Sequence, residues 1–360
     1  EMDKSDFIKN KMDILTNKKV NSNLSKNNGE RLLSIVIPTF NRQYQLIQLL
    51  EQLSVELEGE RDKVEIIVSD NNSSDQTWDS LQEYVASQTD KIAIRCFAQQ
   101  ANIGAALNIN FLIKQSRATY TWTIADDDFL VPGRLHDILK LLNTNLVNLL
   151  LVRVSGIYEW DRIPKRTIER NNELLHKVKL CDKNSADYLS SGAFLGSIIM
   201  NTQAWVNALP EAEKLHETFY PQWAAVLRVA STAGEYFIVD QACVKGNFNM
   251  RGECLIPGFG VLIAGRLKIW STFTGEPIQK ILSHKVKELA YMGWALIALG
   301  RVNDVVTLSD KIHALRVTIS LLGAQGFKAY FFAFVSIVFP FPSVLRRIQM
   351  VASSYFKVKK

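Results

Sequence analysis

Ser34-Ile35-Val36-Ile37-Pro38-Thr39-Phe40-Asn41-Arg42, preceded by Leu32-Leu33, is a short apolar run rich in β-branched residues that ends at a proline. Such a run reads as a strand covered on both faces, because buried strands of parallel sheets lose the polar alternation of half-exposed ones. Pro38 has no N–H to give a neighbouring strand, so the strand is expected to stop there and leave the next backbone groups to face a planar ligand. Val64-Glu65-Ile66-Ile67-Val68-Ser69-Asp70 repeats the pattern after Gln43–Leu57, where leucines and an isoleucine recur at helical spacing. Strand, helix, strand opens an α/β fold.

The alternation continues outward. A helix over Ser74–Gln88, with Ser and Asp near its start, leads to a strand at Ile92–Phe97. A helix over Asn102–Ser116 then leads to a strand at Tyr120–Ala125 that runs straight into Asp126-Asp127-Asp128. This order predicts a mostly parallel central sheet flanked by helices, which binds ligands at the carboxyl ends of its strands. Asp70 and Asp126 both lie at such ends. Beyond a helix at Leu135–Leu142 and a strand at Leu149–Val154, the stretch Tyr158–Asn184 is polar and loop-like. Phe194–Met200 and Tyr236–Asp240 read as strands, the segments around Gln203–Ala208 and Trp223–Thr232 as helices, and everything from Gly260 onward as helices.

The expected organisation is a polar lead-in over 1–30, a sheet domain over 31–255 with halves 31–132 and 133–255, and a basic helical region over 256–360. The chain has 360 residues, 47% hydrophobic and 22% charged, with 18 Gly and 9 Pro, which excludes disordered and collagen-like classes. Cys96, Cys181, Cys243 and Cys254 form no CxxC pair, which fits reduced thiols rather than a disulfide framework or a zinc site. Residues 261–360 carry fourteen Lys and Arg against four acids, +10 in a chain whose total is +6. The basic excess is therefore local, which makes a general nucleic-acid-binding surface a poorer explanation than an anionic partner for this one region.

Three aspartates directly after a buried strand concentrate like charge where desolvation is costly, so a cation is expected against them in the working state. A divalent metal carrying a phosphate suits oxygen ligands of this kind; a solvated acidic turn before the next helix is the alternative. Asp70 can accept a hydrogen bond from a base N–H, or cap the following helix, for which Ser73, Ser74 and Asp75 are also candidates. Asn102 and Gly104 suit either the start of a helix, with Asn as its cap, or contact with a ligand.

Taken in order, Ser34–Arg42, Glu65–Asp75, Asn102-Ile103-Gly104 and Asp126–Asp128 resemble the nucleotide-sugar half of inverting family-2 glycosyltransferases with a GT-A fold. The resemblance covers roughly Leu32–Pro132. It implies that Pro38, Thr39, Phe40, Asn41 and Asp70 hold the base of a nucleoside-diphosphate sugar, expected to be UDP-linked. Asp126 would lie near the ribose with Asp127 beside it, Asn102 and Gly104 would line the same site, and Asp128 would ligate Mn or Mg on the diphosphate. Phe194–Met200, Trp205, Phe219–Trp223 and Gly234–Asp240 resemble the acceptor half of the surface-polysaccharide branch, which includes abequosyltransferase-like enzymes. That branch implies a carbohydrate acceptor, expected to be lipid-linked. Many members place Glu-Asp before the helix that begins here near Trp223, with the Asp as base, but this chain has Pro221 and Gln222. Glutamine cannot take a proton from a hydroxyl, so Glu217, the nearest carboxylate, is the expected base. A His found after the last sheet strand in many relatives is missing, and Lys245 and Arg251 are the expected charges on the diphosphate.

Two other functions share parts of this pattern. A sugar-1-phosphate nucleotidyltransferase would need a glycine-rich phosphate loop after the first strand, and Pro38–Asn41 contains no glycine. A nucleotide-sugar-binding or scaffolding protein that lost its base would accommodate Gln222. Finally, Ala329–Leu345 is a run of seventeen uncharged residues between Lys328 and Arg346-Arg347, slightly short for a span and broken by Pro340 and Pro342. It reads as an interfacial segment with a basic collar against anionic lipid, placing the protein in the cytoplasm, peripheral on the inner face of the cell membrane.

Overall fold

The computed structural model describes residues 21–22, 31–88, 92–155, 174–216, 218, 221–246, 265–266 and 268–283. The chain divides into two compact units, Glu1–His216 with Pro221–Phe248, and Glu217–Tyr220 with Asn249–Lys360. In the second unit helical segments 268–272 and 277–283 flank a turn across which Trp270 Nε1 donates to the Gln279 carbonyl at 3.0 Å. Arg251 and Ala329–Leu345 lie outside the described residues. Among those described, no helix is long and apolar enough to cross a membrane.

The first unit is built on one sheet. Its strands are β1 (Asn21–Ser22), β2 (Leu33–Thr39), β3 (Val64–Asp70), β4 (Ala93–Ala98), β5 (Tyr120–Thr123), β6 (Phe129–Leu130), β7 (Leu149–Ser155), β8 (Leu175–Lys179), β9 (Ile198–Asn201) and β10 (Glu235–Lys245). They lie in the order β1-β4-β3-β2-β5-β9-β7-β10-β6, with β8 also paired to β10. The helices are α1 (Gln43–Glu56), α2 (Thr77–Ser87), α3 (Ala105–Gln115), α4 (Arg134–Thr144), α5 (Ser185–Ser191), α6 (Thr202–Lys214) and α7 (Pro221–Ala233).

The predicted alternation appears as parallel pairing of β2 with β3, β3 with β4, and β2 with β5. Antiparallel pairs enter with β9, which sits between β5 and β7, and along β10. Chain order runs outward from β2 through β3 to β4, then reverses, placing β5 on the other side of β2. Right-handed crossovers in opposite directions put helices on opposite faces: α1 and α2 pack together, while α3 lies on β2 and β3 and packs against α6.

Strand β2 does not stop at Pro38. It continues to Thr39, with Pro38 opposite Ser69 of β3. Backbone groups in a strand alternate sides, and Val36 accepts from Ile124 while Thr39 accepts from Asn71. Pro38 therefore faces the β5 side, where the ladder has ended at Thr123, and its missing N–H costs no bond. Helix α6 likewise runs past the expected Ala208 and through Pro210 to Lys214. Strand β8 forms inside the stretch expected to be loop-like, along the edge of the eleven-residue β10. Its outward residues are polar, so it lacks the apolar run that marks the inner strands.

The face covered by α3 is layered. At the amino ends of the strands, buried Glu65 pairs with Arg95 at 3.0 Å and accepts from Ser34 Oγ at 2.6 Å and the Arg117 N–H at 2.9 Å. Next come Val36, Ile67, Phe97 and Leu112, with Phe111 edge-on to Phe97 at 5.1 Å. At the carboxyl ends Ser69 Oγ donates to Asn108 Oδ1 at 2.6 Å, and Gln99 Nε2 donates to Ser69 Oγ at 3.0 Å. Helix α3 thus meets an ion pair, an apolar band and an amide network in turn.

Removing one member of a buried ion pair strands the other charge, at a cost of about 3–5 kcal/mol. Arg95→Met is expected to lose stability of that order, read from urea unfolding. A change much below about 1 kcal/mol would mean that Glu65 is satisfied without its guanidinium.

Candidate active site

The site lies where strand order reverses, between the carboxyl ends of β2 and β5, which is where open α/β sheets leave a crevice for ligands. Thr39 Oγ1, from the last residue of β2, donates to Asp126 Oδ2 at 2.7 Å across that crevice. Beyond it the chain turns sharply through Asn41, at φ 53°, a left-handed conformation that asparagine tolerates better than most residues. Two loops are laced together here. The Asn41 N–H donates to Ser73 Oγ at 2.8 Å, and Asn41 Oδ1 accepts the Ser74 N–H at 2.8 Å. Phe40 stays 41% exposed beside them, an uncommon position for so large an apolar ring.

Asp70, at the end of β3, is 2% exposed, and its carboxylate accepts the Ser73 hydroxyl and the Ser73 N–H at 3.2 Å. Burial pushes its pKa up, and the Ser73 bonds pull partly against that. The carboxylate therefore stabilises its own turn. Helix α2 begins later than expected, at Thr77, where Asp75 Oδ1 accepts the Thr77 N–H at 3.0 Å. Asn102 is not the cap of α3. Gly104 holds that position at φ 83°, and Asn102 Oδ1 accepts from the Gly104 N–H and Asn71 Nδ2, each at 2.9 Å. Asn71 Oδ1 accepts the Ile103 N–H at 2.9 Å, so the loops after β3 and β4 form one polar shelf.

The aspartate triplet divides by partner. Asp126 is 8% exposed, and burial pushes its pKa up to about 6 against the opposing pull of the Thr39 hydroxyl, Arg42 and the Phe40 N–H. The Arg42 guanidinium bonds Asp127 and lies 3.9 Å from Asp126 Oδ1. The cation expected against the triplet is thus supplied in part by the protein, from the start of α1. Arg42 and Asp127 are 85 residues apart in sequence and meet because the fold sets β5 beside β2.

Asp128 is half-buried and closes a turn through its N–H to the Ala125 carbonyl at 3.1 Å. On its other side stands Gly196, in the 3-10 turn Leu195–Ser197. A Cβ there would come within 2.9 Å of Asp128 Oδ2 and 3.1 Å of Val244 Cγ1. The turn is fixed by Trp122 Nε1 and Thr123 Oγ1, which donate to the Gly196 and Leu195 carbonyls at 2.9 and 2.8 Å. Lys245, exposed at the end of β10, stands opposite Phe129, the residue after Asp128.

Among the described residues no three His, Cys, Asp or Glu side chains gather to hold a metal unaided. A hard divalent cation taken up with a diphosphate is different, because Mg²⁺ keeps to one or two carboxylates plus phosphate oxygens. Asp128, half-buried after β5 with its carboxylate against Gly196, offers one such carboxylate. Gln222 is buried on α7 with Nε2 donating to the Ala193 carbonyl at 2.9 Å. The sequence-derived base, Glu217, lies outside the described residues.

Residues 34–198 match the family Glycosyl transferase family 2. The chain is 28% identical over 203 residues to GalNAc(5)-diNAcBac-PP-undecaprenol beta-1,3-glucosyltransferase of Campylobacter jejuni, a match covering 52% of this chain and 63% of that protein. It is 25% identical over 213 residues to abequosyltransferase RfbV of Salmonella typhimurium, covering 56% of this chain and 62% of that one. The chain thus spans just under two thirds of the length of these two relatives. Its fold resembles the crystal structure of Staphylococcus aureus TarS 1-349 in complex with UDP-GlcNAc, with a TM-score of 0.58 at 13% identity over 91% of this chain and 92% of that one. The likeness assigns a GT-A type architecture to the fold.

The electrostatics of Asp126 have a measurable sign. A carboxyl whose folded pKa exceeds its ordinary 3.8 adds stability that is full below that value and lost as pH rises through about 6. Asp126→Asn keeps an acceptor for Thr39 and cannot ionise. The unliganded variant is expected to melt above the parent at pH 8, with the gap closing as pH falls through about 6. A gap independent of pH would show that Asp126 carries no such penalty.

Proposed function

We propose, from the match of residues 34–198 to Glycosyl transferase family 2, that the protein moves one sugar from a nucleoside diphosphate to a hydroxyl of a lipid-linked carbohydrate. The observation that carries the reading is the hydrogen bond from Thr39 to Asp126, which joins the base-side turn to the aspartate triplet at the reversal of strand order. UDP is the proposed carrier, supported by the likeness to a chain crystallised with UDP-GlcNAc. The acceptor class is supported by the Campylobacter relative, whose name carries an undecaprenol-linked acceptor.

Phe40 offers its ring to the base, with Pro38, Asn41 and Asp70 shaping the edge of that pocket and Asn102 and Gly104 the shelf beside it. Asp126 accepts from the ribose while Thr39 keeps it oriented. Arg42 balances the charge of Asp127, which lowers the repulsion an incoming diphosphate meets at the triplet. Asp128 would hold Mn²⁺ or Mg²⁺, whose charge favours departure of the diphosphate. Lys245 and Arg251 add point charges to the same phosphates. The acceptor hydroxyl attacks the anomeric carbon from the face opposite the diphosphate, inverting it, and Glu217 takes the proton, a role that Gln222 is chemically unable to fill.

The +10 charge of residues 261–360 and the apolar run Ala329–Leu345 support work at the inner face of the cell membrane, peripherally attached to anionic lipid. Each Lys or Arg near such a surface contributes about 1 kcal/mol. The full chain is expected to float with phosphatidylserine vesicles at low salt and to dissociate as salt rises; failure to float at low salt would remove the membrane from the reading.

The central test is turnover of UDP-sugars with Mn²⁺ and a polyprenyl-diphosphate-linked saccharide. Asp128→Ala is expected to abolish transfer, as chelation should. Glu217→Gln should lower the rate by about 10²–10⁴-fold with little change in donor affinity. Tight UDP binding without turnover of any sugar would favour a nucleotide-sugar-binding protein instead.

A further inference from the structure

Helix α1 touches the aspartate segment at both ends. At its start Arg42 bonds Asp127; ten residues on, Gln52 Nε2 donates to the Leu130 carbonyl at 2.8 Å while Gln52 Oε1 accepts the Leu130 N–H at 2.9 Å. One turn later the Glu56 carboxylate accepts the Gly133 N–H at 2.9 Å. The Gln52 amide thus satisfies both backbone groups of a single residue, as a neighbouring strand would. Leu130 belongs to β6, which has two residues and pairs with β10 on its other edge. The Val131 N–H turns toward β10 and donates to the Cys243 carbonyl at 2.8 Å, so the alternating backbone groups of Leu130 face away from β10 and meet Gln52. Leu130 is buried, and without Gln52 its N–H and carbonyl lose the partners they have here.

Asp128 lies two residues before Leu130 with no turn between them, and Gly196 stands against its carboxylate from the other side. We propose that Gln52 is a positioning residue: its amide, working as a substitute strand on Leu130, sets where the Asp128 carboxylate stands and so governs the cation-dependent part of nucleotide binding. The inference rests on the reading of Asp128 as the ligand to a cation on the diphosphate.

The test measures UDP binding by calorimetry with Mn²⁺ and with chelator for the parent, Asp128→Ala, Gln52→Ala and Gln52→Glu. Supporting groups behind metal ligands are worth about 10–100-fold in affinity. Gln52→Ala is expected to lose about that much of the Mn²⁺-dependent affinity and none of the affinity measured in chelator. In Gln52→Glu an ionised carboxylate faces the Leu130 carbonyl and cannot donate, whereas a protonated carboxyl both donates and accepts, as the amide does. Its Mn²⁺-dependent affinity, divided by that of the parent at each pH, is therefore expected to recover as pH falls from about 8 to about 5.5. That recovery within one folded sample separates positioning from a general loss of stability. If Asp128→Ala loses the Mn²⁺-dependent binding while both Gln52 variants keep it at pH 8, the positioning role is overturned. If Asp128→Ala also keeps it, the reading of Asp128 fails instead. Unfolding of both Gln52 variants at every pH would assign Gln52 to the fold alone and overturn the inference as well.

Discussion

The hydrogen bond between Thr39 and Asp126 is the constraint on which the candidate site depends, because it spans the gap that the topology creates. Parallel strands separate from their successors at a reversal of strand order, and the crevice has no backbone ladder to hold it together. A short hydroxyl-to-carboxylate bond supplies the missing tie, and Arg42 reinforces it from the residue just before α1. The tie holds a carboxylate in surroundings that favour its neutral form. A site that keeps a charge out of water before any ligand arrives has its polar partners already in place, which spares reorganisation when charge must be accommodated.

Much of this was legible in the chain. The apolar strands around Val36 and Ile67, the helical spacing of Gln43–Leu57 and the aspartates at strand ends follow from side-chain period and burial, both local properties. Local reasoning failed where a residue depends on a neighbour distant in sequence. Pro38 reads as a stop because proline lacks a donor, yet it continues β2 because the strand that would need that donor has already ended. Strand β8 has too few apolar residues to announce itself and exists because β10 offers a long edge. Arg42 is plainly present in the motif, but its pairing with Asp127 follows from strand order, which no single stretch of sequence encodes. Gly196 falls within Phe194–Met200, which reads as one strand, whereas the chain makes a 3-10 turn at Leu195–Ser197 before the strand begins at Ile198, and that turn sets Gly196 against Asp128.

The amide network on the α3 face does comparable work at the carboxyl end of β3. Asn108, Ser69 and Gln99 are all buried, and their bonds tie the end of β3 to α3 and to the loop after β4. Satisfied polar networks in a low-dielectric interior specify geometry more strictly than apolar contacts, which can slide. An apolar band and a separate ion pair lie farther along the same face, so adhesion and alignment are divided among different layers of the strands.

The contact between Gln52 and Leu130 also bears on how the folded molecule meets other copies of itself. Open sheets expose a row of unpaired N–H and carbonyl groups at each edge, a template on which another chain can add a strand. In the described sheet the path ends at β6, and there the outward-facing backbone groups of Leu130 are already occupied by a side chain. A strand of two residues with its rim capped by an amide offers no hydrogen-bonding register to a newcomer. At β6 the backbone groups of Leu130 that face away from β10 are therefore not offered to an added strand.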